Sequence, residues 1–203
     1  MKKGLFIAVF LCALIQPLFA EHIKGGELYY EYKGPGTTAG TAVYQLYLKL
    51  YIDCNARREG QLDPSVPLTI YDRNGNTFIA NPTAPMVSET FVRFDPATNP
   101  CIGNPPSDVC YRVRTYSVSV TLTVNTKGYT IAYQRCCRIA GIRNMQAPSD
   151  AVGATYMAEI PGTDVLADAY TNSSPTYQGN DASAICRNSA FTLNFNAAQV
   201  SAD

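Results

Sequence analysis

Apolar side chains recur at every second position in several segments of this chain. The longest run divides into an apolar face of Leu46, Leu48, Leu50, Ile52 and Cys54 and a polar face of Gln45, Lys49 and Asp53. This period of two is typical of strands with one buried face, and the runs are rich in Val, Thr, Tyr and Ile. We expect strands near residues 44–54, 66–72, 115–125, 129–137 and 154–160, and no amphipathic helix longer than two turns. The pattern predicts an all-β fold, an immunoglobulin-like β-sandwich.

Turn signals separate the runs. Asp72-Arg73-Asn74-Gly75-Asn76 predicts a hairpin, because Asn-Gly tolerates the positive φ angles of a type I′ turn. Side chains that carry oxygen atoms alternate in this segment, as they do at the start of a calcium-binding loop. However, Gly75 is one position too early for such a loop, and no glutamate follows at its end. The hairpin is therefore preferred. Residues 81–109 carry six prolines and are expected to be irregular.

The first 20 residues have the pattern of a secretory signal peptide. Lys2 and Lys3 precede an apolar run from Leu5 to Ile15, and Ala20 is a small residue at a plausible cleavage point. The alternative, a retained membrane anchor, would need a longer uninterrupted span. We expect a secreted or cell-surface protein, with no membrane insertion after the leader is removed.

The remaining chain divides by composition. We expect a disulfide-stapled β-sandwich over residues 21–165. Residues 166–203 are interpreted as a linker and the first strand of a second, truncated immunoglobulin- or cadherin-like domain. Pro161-Gly162 and the Asn172–Pro175 segment supply linker-like composition, and the run from Phe191 to Phe195 supplies the strand.

Six of the seven cysteines lie outside the leader, and an even number in an exported chain predicts disulfides. Cys101 and Cys110 flank a short turn-rich loop and are expected to pair. Adjacent strand residues point to opposite faces, so Cys136 and Cys137 are expected to bridge to two different neighbours. Cys54 and Cys137 both lie on apolar faces and are expected to pair across the sandwich, which leaves Cys136 for Cys186. Zinc is the alternative, but zinc sites favour a spacing of two to four residues within cysteine pairs.

Charge and composition argue against several classes of function. Sixteen basic and sixteen acidic residues balance without clustering, so no nucleic-acid partner is predicted. The only histidine, His22, lies two residues after the proposed cleavage point in a Gly-rich segment that we expect to be mobile. A histidine-dependent nucleophile would depend on it. We therefore predict no enzyme, no catalytic residue, no cofactor and no metal site.

Two groups of side chains are candidates for a binding surface. Tyr30 and Tyr32 share one face of a strand, and exposed tyrosines often contact sugars or proteins. The alternative is that both cover the core. Arg135, Arg138 and Arg143 flank the double cysteine and would suit an anion; the alternative is that they pair with local carbonyls and carboxylates.

Four segments together resemble the N-terminal region of secreted PKD-repeat or gliding-motility-associated surface proteins of Bacteroidetes. They are His22-Ile23-Lys24-Gly25-Gly26-Glu27-Leu28, Leu50-Tyr51-Ile52-Asp53-Cys54-Asn55, the segment from Gly128 through Tyr133-Gln134-Arg135-Cys136-Cys137-Arg138, and Asn172-Ser173-Ser174-Pro175. The resemblance implies a cell-surface module of stacked immunoglobulin-like domains. Members of this group continue past the position of Asp203 into further repeats and a sorting domain, so the resemblance implies that this chain is a fragment or a shortened member.

These observations favour a non-enzymatic extracellular or cell-surface module for adhesion, attachment or spacing within a larger secreted protein. The alternative is a carbohydrate-binding module of an exported hydrolase. In either case the partner is an unknown extracellular protein or glycan.

Overall fold

A computed structural model describes residues 22–54, 56, 62–93, 110–145, 148–177, 190, 192 and 197–199. Among these residues the structure has eleven strands and two single 3-10 turns, at Ser149–Ala151 and Ala169–Thr171. The strands are β1 (Ile23–Pro35), β2 (Thr41–Asp53), β3 (Ser65–Pro67), β4 (Thr69–Asp72), β5 (Thr77–Ala80), β6 (Thr83–Arg93), β7 (Cys110–Thr123), β8 (Gly128–Arg135), β9 (Ala154–Pro161), β10 (Pro175–Tyr177) and β11 (Ala197–Gln199). The proposed leader lies outside the described residues.

Two antiparallel sheets form the body of the protein. The larger has the strand order β1-β2-β7-β6-β3, and the smaller has the order β5-β4-β8-β9. Strands β10 and β11 form a separate two-stranded ladder. The expected all-β sandwich is confirmed, and each of the five predicted strand regions contains a strand.

The core lies between the two sheets. Burial alternates along β2, where Leu46, Leu48, Leu50 and Ile52 are almost fully buried. They pack in one cluster with side chains of the smaller sheet, such as Ile131 of β8. Strict alternation therefore fixes which face of each strand points inward, since a slip of one residue would expose the whole apolar set.

The region between residues 81 and 93 was expected to be irregular, and this prediction is wrong. Strand β6 pairs with β3 through Thr83–Pro85 and with β7 from Met86 onward. Pro82 precedes the strand, and Pro85 lies before the stretch that pairs with β7. The prolines therefore remove no donor from the β6–β7 ladder. Residues 94–109 lie outside the described part of the chain.

The predicted hairpin joins β4 to β5. Asp72 pairs with Thr77, so the loop has four residues rather than the two of a type I′ turn. The positive φ angles fall on Gly75 (95°) and Asn76 (53°). The Oδ1 atom of Asp72 accepts a hydrogen bond of 2.6 Å from the backbone N–H of Asn74, a side-chain turn that explains this choice of residues.

Beyond residue 165 the chain stays in contact with the larger sheet. The phenol of Tyr44 donates to the carbonyl of Tyr170 over 2.6 Å. The backbone N–H of Ser174 donates to the carbonyl of Tyr30 over 2.8 Å. The proposed domain boundary and second domain stay predictions, and most of the Phe191–Phe195 run lies outside the described residues.

Candidate functional site

The predicted tyrosine pair lies inside the sandwich. Tyr30 is only 2% exposed, and its ring meets Tyr44 edge-on at 5.9 Å. Tyr32 is partly buried and meets Tyr44 at 5.9 Å and Tyr170 at 6.5 Å. Leu28, Tyr30 and Tyr32 of β1 point toward the core, so the prediction of a binding surface at Tyr30 and Tyr32 is wrong, and the alternative that they cover the core is right.

The three predicted arginines do not form a common site. Arg135 pairs with the carboxylate of Asp63 at 2.5 Å. The Nε of Arg138 donates to the carbonyl of Gly153 over 3.1 Å. Arg143 is exposed in the turn after residue 140. For Arg135 and Arg138 the expected alternative, pairing with local carboxylates and carbonyls, describes what the structure contains.

Asp63 is the centre of a polar cluster at one end of the core. Its carbonyl accepts from the phenol of Tyr116 over 3.0 Å and from Arg114 over 3.1 Å. Arg114 is also paired with Glu89 of β6. The buried side chains of Tyr116 and Arg114 thus both have partners, which buried polar groups need because their desolvation is costly. The cluster ties β6, β7 and β8 to the segment that leads into β3.

Cys54 pairs with Cys110, so the predicted Cys101–Cys110 and Cys54–Cys137 bridges are wrong. Asp53 of β2 lies opposite Tyr111 of β7, and one step further along the same register brings Cys54 opposite Cys110. Their Cα atoms are 5.6 Å apart, a separation that suits a disulfide. The bridge therefore lies within one sheet rather than across the sandwich. Cys101 lies outside the described residues.

Cys136 and Cys137 are bridged to each other, and the peptide bond between them is cis. The predictions that they reach different neighbours, and that Cys136 pairs with Cys186, are wrong. The prediction assumed that both residues lie within a strand, but β8 ends at Arg135. Beyond that end the alternation of side chains no longer applies. Cys186 lies outside the described residues.

His22 is also not where the sequence suggested. It is 2% exposed, and its carbonyl accepts a hydrogen bond of 2.8 Å from the backbone N–H of Asp53. The segment that begins at His22 is thus fixed against the end of β2, and the expectation of a mobile terminus is wrong for it.

The outer face of the larger sheet carries tyrosines that the sequence analysis did not single out. We call them the outer tyrosine face: Tyr29, Tyr47, Tyr51 and Tyr111. The rings of Tyr29 and Tyr47 stack at 4.9 Å, and those of Tyr51 and Tyr111 meet edge-on at 5.6 Å. The position of Tyr47 and Tyr51 on this face could have been predicted, because the alternation along β2 places them on the same face as the polar residues Gln45, Lys49 and Asp53.

Charged groups surround the Tyr29–Tyr47 stack. Lys49 Nζ lies 5.1 Å from the centre of the Tyr29 ring and 2.7 Å from a carboxylate oxygen of Glu27. The phenol of Tyr47 donates to Glu31 over 3.3 Å. Burial, with a smaller contribution from the neighbouring carboxylate of Glu27, raises the pKa of Tyr29 to about 12. Both effects oppose ionisation, so Tyr29 presents a neutral ring and hydroxyl.

A cavity of about 460 Å³ opens beside Tyr29, and we call it the edge cavity. It lies between β1, an edge strand of the larger sheet, and β9, an edge strand of the smaller sheet. Residues 172–177 form its third wall. The residues that line it include Glu27, Tyr29, Arg73, Met157, Glu159 and Tyr177.

A second, more open groove of about 360 Å³ lies beside the adjacent cysteines. Arg135 and Cys136 form one side, and residues 153–155 form the other. Cys136 is exposed, whereas Cys137 is half-buried. Arg135 is engaged with Asp63, which reduces its availability for an anionic ligand in this groove.

The described residues contain neither a metal-binding cluster nor a membrane-spanning helix. No group of three or more His, Cys, Asp or Glu side chains in this part of the chain is arranged to hold a metal ion. No helix within the same ranges has the length and apolar character needed to cross a membrane.

The fold and its surfaces define an all-β sandwich with disulfides, a tyrosine-rich outer face and a cavity at one open edge. Comparison of the chain with family models, with curated proteins and with solved structures gave no match.

Proposed function

We propose that this protein is a non-enzymatic extracellular or cell-surface module that serves adhesion, attachment or spacing in a larger secreted protein. The outer tyrosine face carries this proposal. Half-buried, stacked tyrosines supply a large contact area at a low cost in conformational entropy, and each ring retains a hydroxyl for hydrogen bonding. A rigid sheet beneath them holds that surface in one shape.

The leader-like first 20 residues and the Cys54–Cys110 disulfide support an extracellular or cell-surface location. The resemblance to gliding-motility-associated and PKD-repeat surface proteins of Bacteroidetes supports the same class of function. Both are reasons for the proposal, and a direct test of location is protease treatment of intact cells that carry an epitope-tagged chain. Loss of the tag without cell lysis is the expected result.

Adhesion is tested with beads that carry residues 21–203 in the oxidised state. We expect these beads to be retained under flow on glass coated with bacterial polysaccharide or with matrix protein. Beads that carry the reduced and alkylated protein are the control. Equal retention of both kinds of bead on every coating would contradict the proposal.

The second candidate, a carbohydrate-binding module, is favoured by one specific observation. Tyr29 links the outer tyrosine face to the edge cavity, where carboxylate, guanidinium and amide groups lie close to aromatic rings. Sugars present apolar C–H faces and many hydroxyls, so such a mixture of groups suits them. Direct titration with oligosaccharides separates this candidate from protein-mediated adhesion.

A further inference from the structure

We propose that the edge cavity binds a short neutral oligosaccharide, an inference that rests on the carbohydrate-binding candidate and names its site. The cavity volume of about 460 Å³ lies within the usual range for ligand sites, roughly 300–1,000 Å³. Its walls come from three separate parts of the chain, β1, β9 and residues 172–177, with Arg73 from the β4–β5 loop. A site of this kind can contact a ligand from several sides.

The apolar and aromatic groups of the cavity offer a contact surface for a sugar ring. Tyr29 is held flat by its stack on Tyr47, with an angle of 12° between the rings. Across the cavity, Met157 is 57% exposed and Tyr177 is 68% exposed. Large apolar side chains with this exposure have unused contact area, and they converge on one opening.

The polar groups offer both donors and acceptors, as sugar hydroxyls require. Glu27 is held by Lys49 at 2.7 Å, and Glu159 by Arg73 at 3.4 Å. Each carboxylate is therefore neutralised by a cation, and the cavity has no excess charge to attract an ionic ligand. Carboxylate oxygens not engaged by these cations accept hydrogen bonds, while Arg73 donates them.

An extended peptide fits the same edge less well. Strand β1 is an open edge, and open edges can accept an added strand. Residues 173 and 174 already occupy part of it, because the Oγ of Ser174 accepts from the N–H of Tyr30 (3.2 Å) and the Oγ of Ser173 from the N–H of Tyr32 (3.0 Å). An incoming strand would have to displace this segment, whereas a compact sugar would not.

The test is calorimetric titration of oxidised residues 21–203 with cellotetraose, xylotetraose, mannotetraose and chitotetraose. We expect at least one of them to bind, and Y29A and R73A each to weaken that binding by about tenfold or more. The matched controls are Y71A, an aromatic on the outer face of the smaller sheet, and R93A, an exposed arginine at the end of β6. Both controls should bind as the parent does, and circular dichroism should confirm that all four variants are folded.

The remaining outcomes separate the location of the site from the function. If the parent binds a tetrasaccharide and Y29A and R73A bind it equally well, the edge cavity is the wrong site although carbohydrate binding stands. If no tetrasaccharide binds, both the site and the carbohydrate-binding candidate fail, while adhesion is still judged by bead retention. If a hexapeptide of alternating Val and Thr binds and none of the four sugars does, the edge accepts an added strand and the proposal is overturned.

Discussion

The two disulfides that the structure describes lie at the ends of strands, and they constrain the chain very differently. Cys54–Cys110 joins two paired strands across a sequence separation of 56, whereas Cys136–Cys137 joins neighbours. In the chain-entropy model a bridge stabilises the fold by restricting the unfolded chain, and the effect grows with the loop that it closes. The first bridge closes a long loop and the second closes none. The number of cysteines therefore does not by itself indicate how much the disulfides stabilise a fold.

The two bridges also differ in how deeply they are buried. Cys54 and Cys110 are both half-buried and extend a ladder of thirteen residue pairs between β2 and β7. Cys136 is exposed beyond the last residue of β8, and that strand end is fixed by the Arg135–Asp63 pair instead. One strand end is held covalently and the other by side-chain contacts.

The largest expected effect is the loss of the Cys54–Cys110 bridge. We expect C54A/C110A to lower the free energy of unfolding by about 4 kcal/mol, because the loop between these residues would no longer be closed in the unfolded state. Urea denaturation followed by circular dichroism measures this. The matched control is C136A/C137A, which removes the same number of sulfur atoms from the other strand end.

A loss smaller than about 1 kcal/mol in C54A/C110A would contradict this account. It would mean that the bridge hardly restricts the denatured chain, or that removing it relieves an equal cost in the folded state. The two bridges would then not differ in their contribution to the free energy of unfolding.

The next effect concerns the end of β8. We expect D63A to destabilise the protein by about 1–2 kcal/mol, because it leaves Arg135 without its carboxylate partner at a site that is only about a quarter exposed. The matched control is D164A, since Asp164 makes a similar pair with Lys127 at 2.8 Å but in a more exposed position. D164A should cost less, and equal losses in thermal unfolding would show that the Asp63 cluster has no special role.

Alkaline pH should weaken the non-covalent contacts while it leaves cystines uncharged. Burial raises the pKa values of Tyr30 and Tyr133 to about 12 from an ordinary value near 10. The unfolded state therefore loses these protons first, so their contribution is complete below pH 10 and is lost as the pH rises toward 12. At pH 11 the loss is about 1 kcal/mol for each tyrosine.

The measurement is urea denaturation of the parent and of Y133F between pH 8 and 11.5. Y133F removes one titrating phenol from β8, so its stability should fall less steeply above pH 10. Identical slopes for the two proteins would mean that Tyr133 ionises as readily in the fold as in the unfolded chain.

The sequence predicts the layers of this fold well, because alternation reports directly which face of a strand is buried. The β2 run illustrates this: every residue from Leu46 to Ile52 lies on the face that its chemistry requires. The cysteine pairs could not be predicted in this way. Disulfide pairing depends on which strands are neighbours in the sheet and on where each strand ends. The sequence around Cys136 and Cys137 shows neither the neighbours of β8 nor that β8 ends at Arg135.

The candidate binding site was also only partly predictable from the sequence. The expected surface residue was Tyr30, whereas the ring on the outer face of the sheet is that of its neighbour Tyr29. Tyrosine is compatible with both a buried and an exposed face, since its ring is apolar and its hydroxyl polar. Two adjacent tyrosines therefore give no signal of their orientation. The edge cavity could not be predicted from sequence, because β1 is distant in sequence from both β9 and residues 172–177.

The smallest expected effect is the loss of the Cys136–Cys137 bridge. We expect C136S/C137S to change the free energy of unfolding by less than about 1 kcal/mol, since no chain loop is opened and Cys136 lies at the surface. The same exposure makes its sulfur accessible to an attacking thiolate. Under limiting dithiothreitol followed by alkylation, mass spectrometry should therefore find label on Cys136 and Cys137 before it appears on Cys54 and Cys110. Label that appears first on Cys54 or Cys110, or a large loss of stability in C136S/C137S, would show that the adjacent pair has a structural role that its place in the chain does not suggest.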